Sequence, residues 1–299
     1  MRPARALYLA AAVAVATFAL TGTRGAAAPG GAAQPKAATI RLYVLDGGTL
    51  GSDPTRYHLT KEDVGVTDLS VGAYLVVHPR GVLLWDTGAI PDSAWKPNGA
   101  PVEQQLMLPD GRGRRVVLTR SLQDQLKASG FAPTDVTHLA LSHHHWDHTA
   151  NANLFASATW LVRQVERDAM FGARLLPTSR PETFSRLKGS RTTILTKAEH
   201  DVFGDGAVVI KLAPGHTEGH QVLYVKLAQT GGVLLSGDLY HYPQERTLDR
   251  YPNFEVNEAQ TRAARRDVEA FLARTGAQLW IQHDFTGHAK LKKAPAYYD

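Results

Sequence analysis

Residues 143–148 read His-His-His-Trp-Asp-His, four histidines and a carboxylate in six consecutive positions. Imidazole nitrogen and carboxylate oxygen are the usual donors to a catalytic zinc, and a chain with no cysteine has no thiolate to offer instead. The cluster follows directly on the apolar run 136–141. If that run is a strand, the donors hang on the turn at its C-terminal end, where α/β folds place their chemistry. A histidine-rich surface turn would stand alone. Here four more apolar runs end in an acid or a histidine, at Asp86, His216, Asp238 and His283.

Counted as ligands, His143, His145 and His216 can surround one cation, and Asp147, His148 and His283 a second. Asp238 has two oxygens and can bridge the pair. Two cations about 3.5–4 Å apart share a water whose pKa falls towards neutrality, which yields hydroxide at ordinary pH. His144 and Trp146 alternate with the ligands and are assigned to packing. His58, His78, His138, His200 and His288 read as ordinary surface or core histidines.

The elements that must position these residues follow from periodicity and punctuation. Strands are expected at 39–45, 71–78, 82–85, 136–141, 159–162, 208–212, 221–227, 232–235 and 278–281, with a turn at Asp46-Gly47-Gly48. Residues 89–115, with Pro91, Pro97, Pro101 and Pro109, read as an irregular excursion. Helices are expected at 121–129, ended by Gly130, and at 164–171, with a short one near 151–154. The best helix starts at Asn257, where Gln260 fits a capping box, and Ala264, Val268, Phe271 and Leu272 share one face before Gly276. No repeat or internal linker interrupts residues 39–299, so they read as one domain.

Residues 1–28 read as a secretory signal: Arg2 and Arg5, the apolar stretch 6–20, then Ala26-Ala27-Ala28. Residues 29–38 read as a flexible N-terminus of the mature chain. Export, to a periplasmic or secreted location, follows. The apolar stretch falls short of the roughly 20 residues of a membrane span, so no stable membrane insertion is expected after cleavage. The formal charge of +5 drops to +2 once Arg2, Arg5 and Arg24 are set aside with the leader. That balance excludes an electrostatic argument for nucleic acid.

His143-x-His145-x-Asp147-His148, taken with Asp86, His216, Asp238 and His283 in that order, resembles the metallo-β-lactamase superfamily across residues 39–288. The resemblance implies an α/β fold, a four-layer αβ/βα sandwich of two mixed sheets with the site at one edge between them. It implies two divalent ions as cofactors, with zinc expected. The bridging Asp238 is lacking in the third subclass of true metallo-β-lactamases. Together with Pro214-Gly215-His216-Thr217-x-Gly219-His220-Gln221 and Gln282-His283-Asp284, it is most similar to the N-acyl homoserine lactonase branch. That likeness implies opening of the lactone ring of an acylated substrate by a metal-bridging hydroxide, with Asp147 passing a proton to the leaving oxygen. Asp86 and His220 would orient the ligands. In the best-known lactonases an active-site tyrosine falls three residues after the bridging aspartate, a position held here by His241. Tyr240 is assigned the carbonyl-binding role on proximity, with His241 and Tyr242 as alternatives. Leu106, Met107, Leu108, Leu175, Leu176 and Phe184 are expected to hold the acyl chain, and a homodimer is implied. The competing functions are a β-lactamase, a glyoxalase II-like thioesterase, a phosphate or sulfate ester hydrolase, and a non-catalytic metal protein.

Overall fold

Hydrophobic runs of the chain pair into two mixed sheets. The structure is a computed structural model that describes Met1 and residues 39–299, apart from Pro97, residues 108–110, Arg112 and residues 174–175. The expected leader and N-terminal segment, with Leu108 and Leu175, lie outside the described residues. The strands in chain order are β1 (Arg41–Leu50), β2 (Leu69–His78), β3 (Gly81–Trp85), β4 (Val102–Met107), β5 (Gly113–Leu118), β6 (His138–Ala140), β7 (Thr159–Val162), β8 (Thr192–Ile194), β9 (Glu199–Asp201), β10 (Val208–Leu212), β11 (Gln221–Leu227), β12 (Gly231–Leu235), β13 (Gln278–Trp280) and β14 (Tyr297–Tyr298). The first sheet runs β4-β5-β1-β2-β3-β6-β7-β8, with β14 added to β1, and the second runs β13-β12-β11-β10-β9.

Alternation along the strands builds the layers. Leu42 and Val44 of β1, with Tyr74, Val76, Leu83 and Trp85, face Val208, Ile210, Leu223, Val225, Val233 and Leu235 of the second sheet. Tyr43 and Leu45 point the other way, into a core shared with Leu122 and Leu126 of the helix Leu122–Ala128. On the far side, Val222 and Leu234 pack against Ala264, Val268 and Leu272 of the helix Glu258–Thr275. Asn257 caps that helix by accepting from Gln260 N at 3.1 Å, and Gly276 closes it in the left-handed conformation. The layers are therefore αβ/βα, as the resemblance implied.

Two local readings need correction. Asp46-Gly47-Gly48 is not a turn but a bulge within a longer β1, whose pairing with β2 shifts register between Asp46 and Thr49. Only glycine fits there, since a Cβ on Gly47 would lie 2.8 Å from the Cα of Gly88. The stretch 89–115 is not wholly irregular: β4 and β5 form an antiparallel hairpin from it that extends the first sheet through β1.

Register then brings the strand ends together. β3 and β6 are parallel with Trp85 opposite Ala140, so Asp86 and the histidine cluster leave the sheet side by side. β12 and β13 are parallel with Leu235 opposite Trp280, which sets Asp238 beside His283. Gln282 crosses between the sheets, its Nε2 donating to Gly72 O at 2.6 Å and to Asp86 Oδ2 at 2.8 Å. Gln221 does the same from β11, through its Nε2 to Leu141 O at 3.0 Å.

Candidate active site

Asp238 is the hub. It sits on the short helical turn Gly237–Leu239 after β12. A Cβ on the preceding Gly237 (φ +50) would lie 2.6 Å from His220 Nε2, so this close entry requires glycine. Oδ1 of Asp238 lies 3.0 Å from the Nε2 of both His148 and His283. Oδ2 lies 3.3 Å from His216 Nε2, 3.2 Å from His241 Nε2 and 3.6 Å from His143 Nε2. His145 joins through Nδ1, 3.1 Å from His216 Nε2. Asp147 Oδ2 completes the other side, 3.9 Å from His148 Nε2 and 3.8 Å from His283 Nε2.

These approaches are not ordinary hydrogen bonding. His143 Nε2, His148 Nε2 and Asp238 Oδ1 are buried with no hydrogen-bond partner. Buried polar atoms left unpaired are costly, and a cation drawing on all of them removes that cost. The donor atoms of His143, His145, His216 and Asp238 lie within 4.8 Å of one another, as do those of Asp147, His148 and His283. Nitrogen and oxygen donors in two such groups, sharing one carboxylate, fit a pair of divalent ions.

The far side of three of these rings is also held. His148 Nδ1 lies 2.9 Å from Asp86 Oδ2, His216 Nδ1 3.0 Å from Glu255 Oε1, and His283 Nδ1 2.6 Å from Ser70 O. Each of these oxygens only accepts, so Nδ1 keeps its proton, and with a cation bound Nε2 would turn its lone pair to the site. His220 works differently: its Nδ1 donates to Ala213 O at 2.8 Å, and its Nε2 accepts from Asp238 N at 2.9 Å. Asp86 also accepts from Ser142 N at 2.6 Å, which pins the start of the cluster.

Electrostatics agree with a cation site. Burial pushes His143 and His145 well below the ordinary imidazole range, which keeps their lone pairs free. Burial, with His216 nearby, takes His220 down to about 4, so it accepts as a neutral ring. Burial would lower His216 too, yet Glu255 and Asp238 raise it to about 10. Burial opposes ionisation of Asp238, but His148, His283, His143 and His241 hold it well below the usual carboxylate range. Five carboxylates (Asp86, Asp147, Asp238, Glu245, Glu255) thus stand among or behind these imidazoles and demand positive charge, from protons or from metal.

Tyr240 does not reach this site. Its backbone is extended, so it points opposite to His241, and its hydroxyl donates to Glu269 Oε1 at 3.0 Å while Arg265 lies over its ring. Tyr242 turns away as well, donating to Thr67 O at 2.6 Å. His241 is the member of the trio that faces Asp238, its Nε2 3.2 Å from Oδ2. We expect Tyr240→Phe to cost about 1 kcal/mol of stability in a urea titration and to leave unchanged the lactone opening that the resemblance implies. A loss of turnover would restore Tyr240 to the site.

Two of the expected acyl-chain residues lie elsewhere: Phe184 is fully buried in the core beneath the first sheet and Met107 is exposed, whereas Leu106 packs against the cluster that holds Leu50, Tyr57, Leu69 and Trp146. The cleft over the site is lined instead by Leu50, Tyr57, Leu69, Trp146 and Phe254, with Arg56 and Arg114, and encloses ≈ 580 Å³ including its open mouth. Trp146 therefore both packs and lines the cleft. His144 is structural: its N and Nδ1 bond Glu166 Oε2 at 3.0 and 2.6 Å. Glu166 and Glu255 were not singled out from the sequence. Each is one acid in a polar segment, with no spacing to mark it.

Residues 66–275 match the family model described as the metallo-beta-lactamase superfamily. The N-acyl homoserine lactonase AttM of Azorhizobium caulinodans is 28% identical over 274 residues, covering 87% of this chain and 99% of that protein. Among solved structures, an N-acyl homoserine lactone hydrolase with the product N-hexanoyl-L-homoserine at its catalytic metal centre superposes with a TM-score of 0.71 at 21% identity, over 87% of this chain and 99% of that one. AidC, a dizinc quorum-quenching lactonase, gives 0.61 at 17% identity, over 87% and 94% of the two chains. At these identities the structural likeness is one of fold.

Proposed function

The chain belongs to the metallo-β-lactamase superfamily, and we propose that within it the protein is a dinuclear, metal-dependent lactonase that opens the ring of N-acyl homoserine lactones. The observation that carries this reading is Asp238, one carboxylate shared between two sets of donors, in a chain whose full-length relatives include N-acyl homoserine lactonases. His143, His145, His216 and Asp238 would hold one ion, and Asp147, His148, His283 and Asp238 the other. We take both as zinc, which nitrogen-rich sites of this kind favour. When bound, such ions supply Lewis acidity towards a carbonyl and lower the pKa of a water between them.

The chain's own groups do the rest. Asp147 belongs to the site and also lines the cleft, so its carboxylate can carry a proton to the ring oxygen as it leaves. Leu50, Leu69, Tyr57 and Phe254 offer the apolar wall against which an acyl chain lies. The composition of residues 1–28 supports export, so the substrate would be met outside the cytoplasm.

Ring opening of N-hexanoyl- and N-decanoyl-homoserine lactone, followed by proton release, tests the reading. Turnover should vanish on chelation and return with zinc. Protein carrying two ions that opens neither lactone, or that turns over nitrocefin as fast, would overturn it.

A further inference from the structure

Three imidazoles of this site stand between an acid and Asp238. His148 has Asp86 behind Nδ1 at 2.9 Å and Asp238 Oδ1 before Nε2 at 3.0 Å. His216 has Glu255 behind Nδ1 at 3.0 Å and Asp238 Oδ2 before Nε2 at 3.3 Å. His241 has the same order of groups at longer reach: Glu245 Oε2 lies 3.4 Å from Nδ1, which makes no hydrogen bond, and Asp238 Oδ2 lies 3.2 Å from Nε2. Two of the three stand in the ligand sets above, and the third does not. An acid behind one ring nitrogen, with the other aimed into the site, is how ligating histidines are held. His144 marks the contrast, since its Nδ1 meets Glu166 but neither ring nitrogen meets Asp238.

The ring of His241 is held by packing and by its backbone. It is 3% exposed, lies parallel to His283 at 5.4 Å, and is flanked by Tyr57 at 4.8 Å and Phe254 at 5.7 Å. Its backbone N and that of Tyr242 donate to Glu245 Oε2 at 2.5 and 2.8 Å, and Arg265 holds the other oxygen of that carboxylate at 2.9 Å. The donor atoms of Asp238, His241 and His283 lie within 4.8 Å of one another, a span that one cation can bridge.

We infer that His241 is a metal ligand, adding a nitrogen to the ion held by Asp238 and His283. The inference rests on the two-ion reading of the site, not on the identity of the substrate. An imidazole at this position makes this end of the site richer in nitrogen. It should bind zinc or cobalt more tightly and favour them over oxygen-seeking metals such as manganese.

The test is a zinc titration of the metal-free, full-length protein against a chromogenic chelator, with visible spectra of the cobalt-loaded form. His241→Phe removes the donor, whereas His241→Gln keeps a polar hydrogen-bonding side chain that zinc rarely takes as a ligand. Both variants should bind one of their two ions about 10–100-fold more weakly, and the cobalt bands of that ion should change. Parent affinity for both ions with an unchanged cobalt spectrum in His241→Gln would overturn the inference, whatever the activity of that variant. If His241→Phe fails to fold, as a thermal melt in chelator would reveal, the Gln variant decides alone. No lactone enters the titration, so a failure here is distinct from a failure of the lactonase reading.

Discussion

Asp238→Asn should keep its fold, lose at least one of its two ions, and open lactones at least about 10³-fold more slowly. The rate follows from losing several kcal/mol of metal-derived stabilisation, at tenfold per ~1.4 kcal/mol. An amide replaces one acceptor oxygen with an N–H₂ group. Whichever way it turns, those protons face imidazole nitrogens, either His148 and His283 or His216 and His241. A neutral amide also cannot supply the negative charge that these rings and two cations share. Metal content after dialysis, initial rates and circular dichroism on the same preparation check the result. Two retained ions and an intact rate would show that Asp238 does not bridge.

Glu166→Ala should be the most destabilising single change beside the site that touches none of the proposed ligands. Glu166 is buried and accepts from His144 N, Thr217 Oγ1 at 2.6 Å and Gly219 N at 2.9 Å, and it pairs with the His144 ring. It ties the loop after β6 to the loop after β10, so both sets of ligands depend on it. Removing one partner of a buried polar network leaves the others unpaired, at about 3–5 kcal/mol. For a domain of this size that lowers Tm by roughly 6–15 °C. Differential scanning calorimetry in chelator isolates the protein's own term, and a Tm within a degree or two of the parent would refute it. The pH dependence has a definite sign. Burial raises the Glu166 pKa, but hydrogen bonds and charge from His144, Thr217 and Gly219 outweigh it and hold the group below its ordinary value. Its contribution is complete above the unfolded carboxyl range near 4.5 and disappears as pH falls through the lower folded value. The Ala variant should lack that acid-side step.

Much of the architecture was legible because strands carry their pattern locally. The runs at β2, β3, β10, β11 and β12 are apolar, β-branched and closed by turn residues, and chemistry-bearing side chains follow several of them directly. What escaped notice has physical causes. Val102-Glu103-Gln104-Gln105-Leu106-Met107 alternates too weakly, among prolines, to announce β4. Gly47-Gly48 has the composition of a turn and the job of a bulge, a difference settled only by Gly88 pressing against it. In the extended segment after Asp238, neighbouring side chains point opposite ways. Proximity in sequence therefore favoured Tyr240, while the fold presents His241. The acids behind the rings (Glu166, Glu245, Glu255) are supplied from elements distant in the chain from the rings they hold or lie in plain polar segments, so spacing cannot flag them.

The donors come from both sides of the sandwich: His143, His145, Asp147 and His148 leave the first sheet, and His216, Asp238 and His283 leave the second. Bound ions would therefore act as rivets across the seam between halves whose contacts, linking residue 86 or 143 to residue 283, close very long loops. The binding energy of the metals then adds directly to the work of prising the sheets apart. If the protein is exported, as we propose from residues 1–28, the same ions that equip it for hydrolysis would set how long it survives.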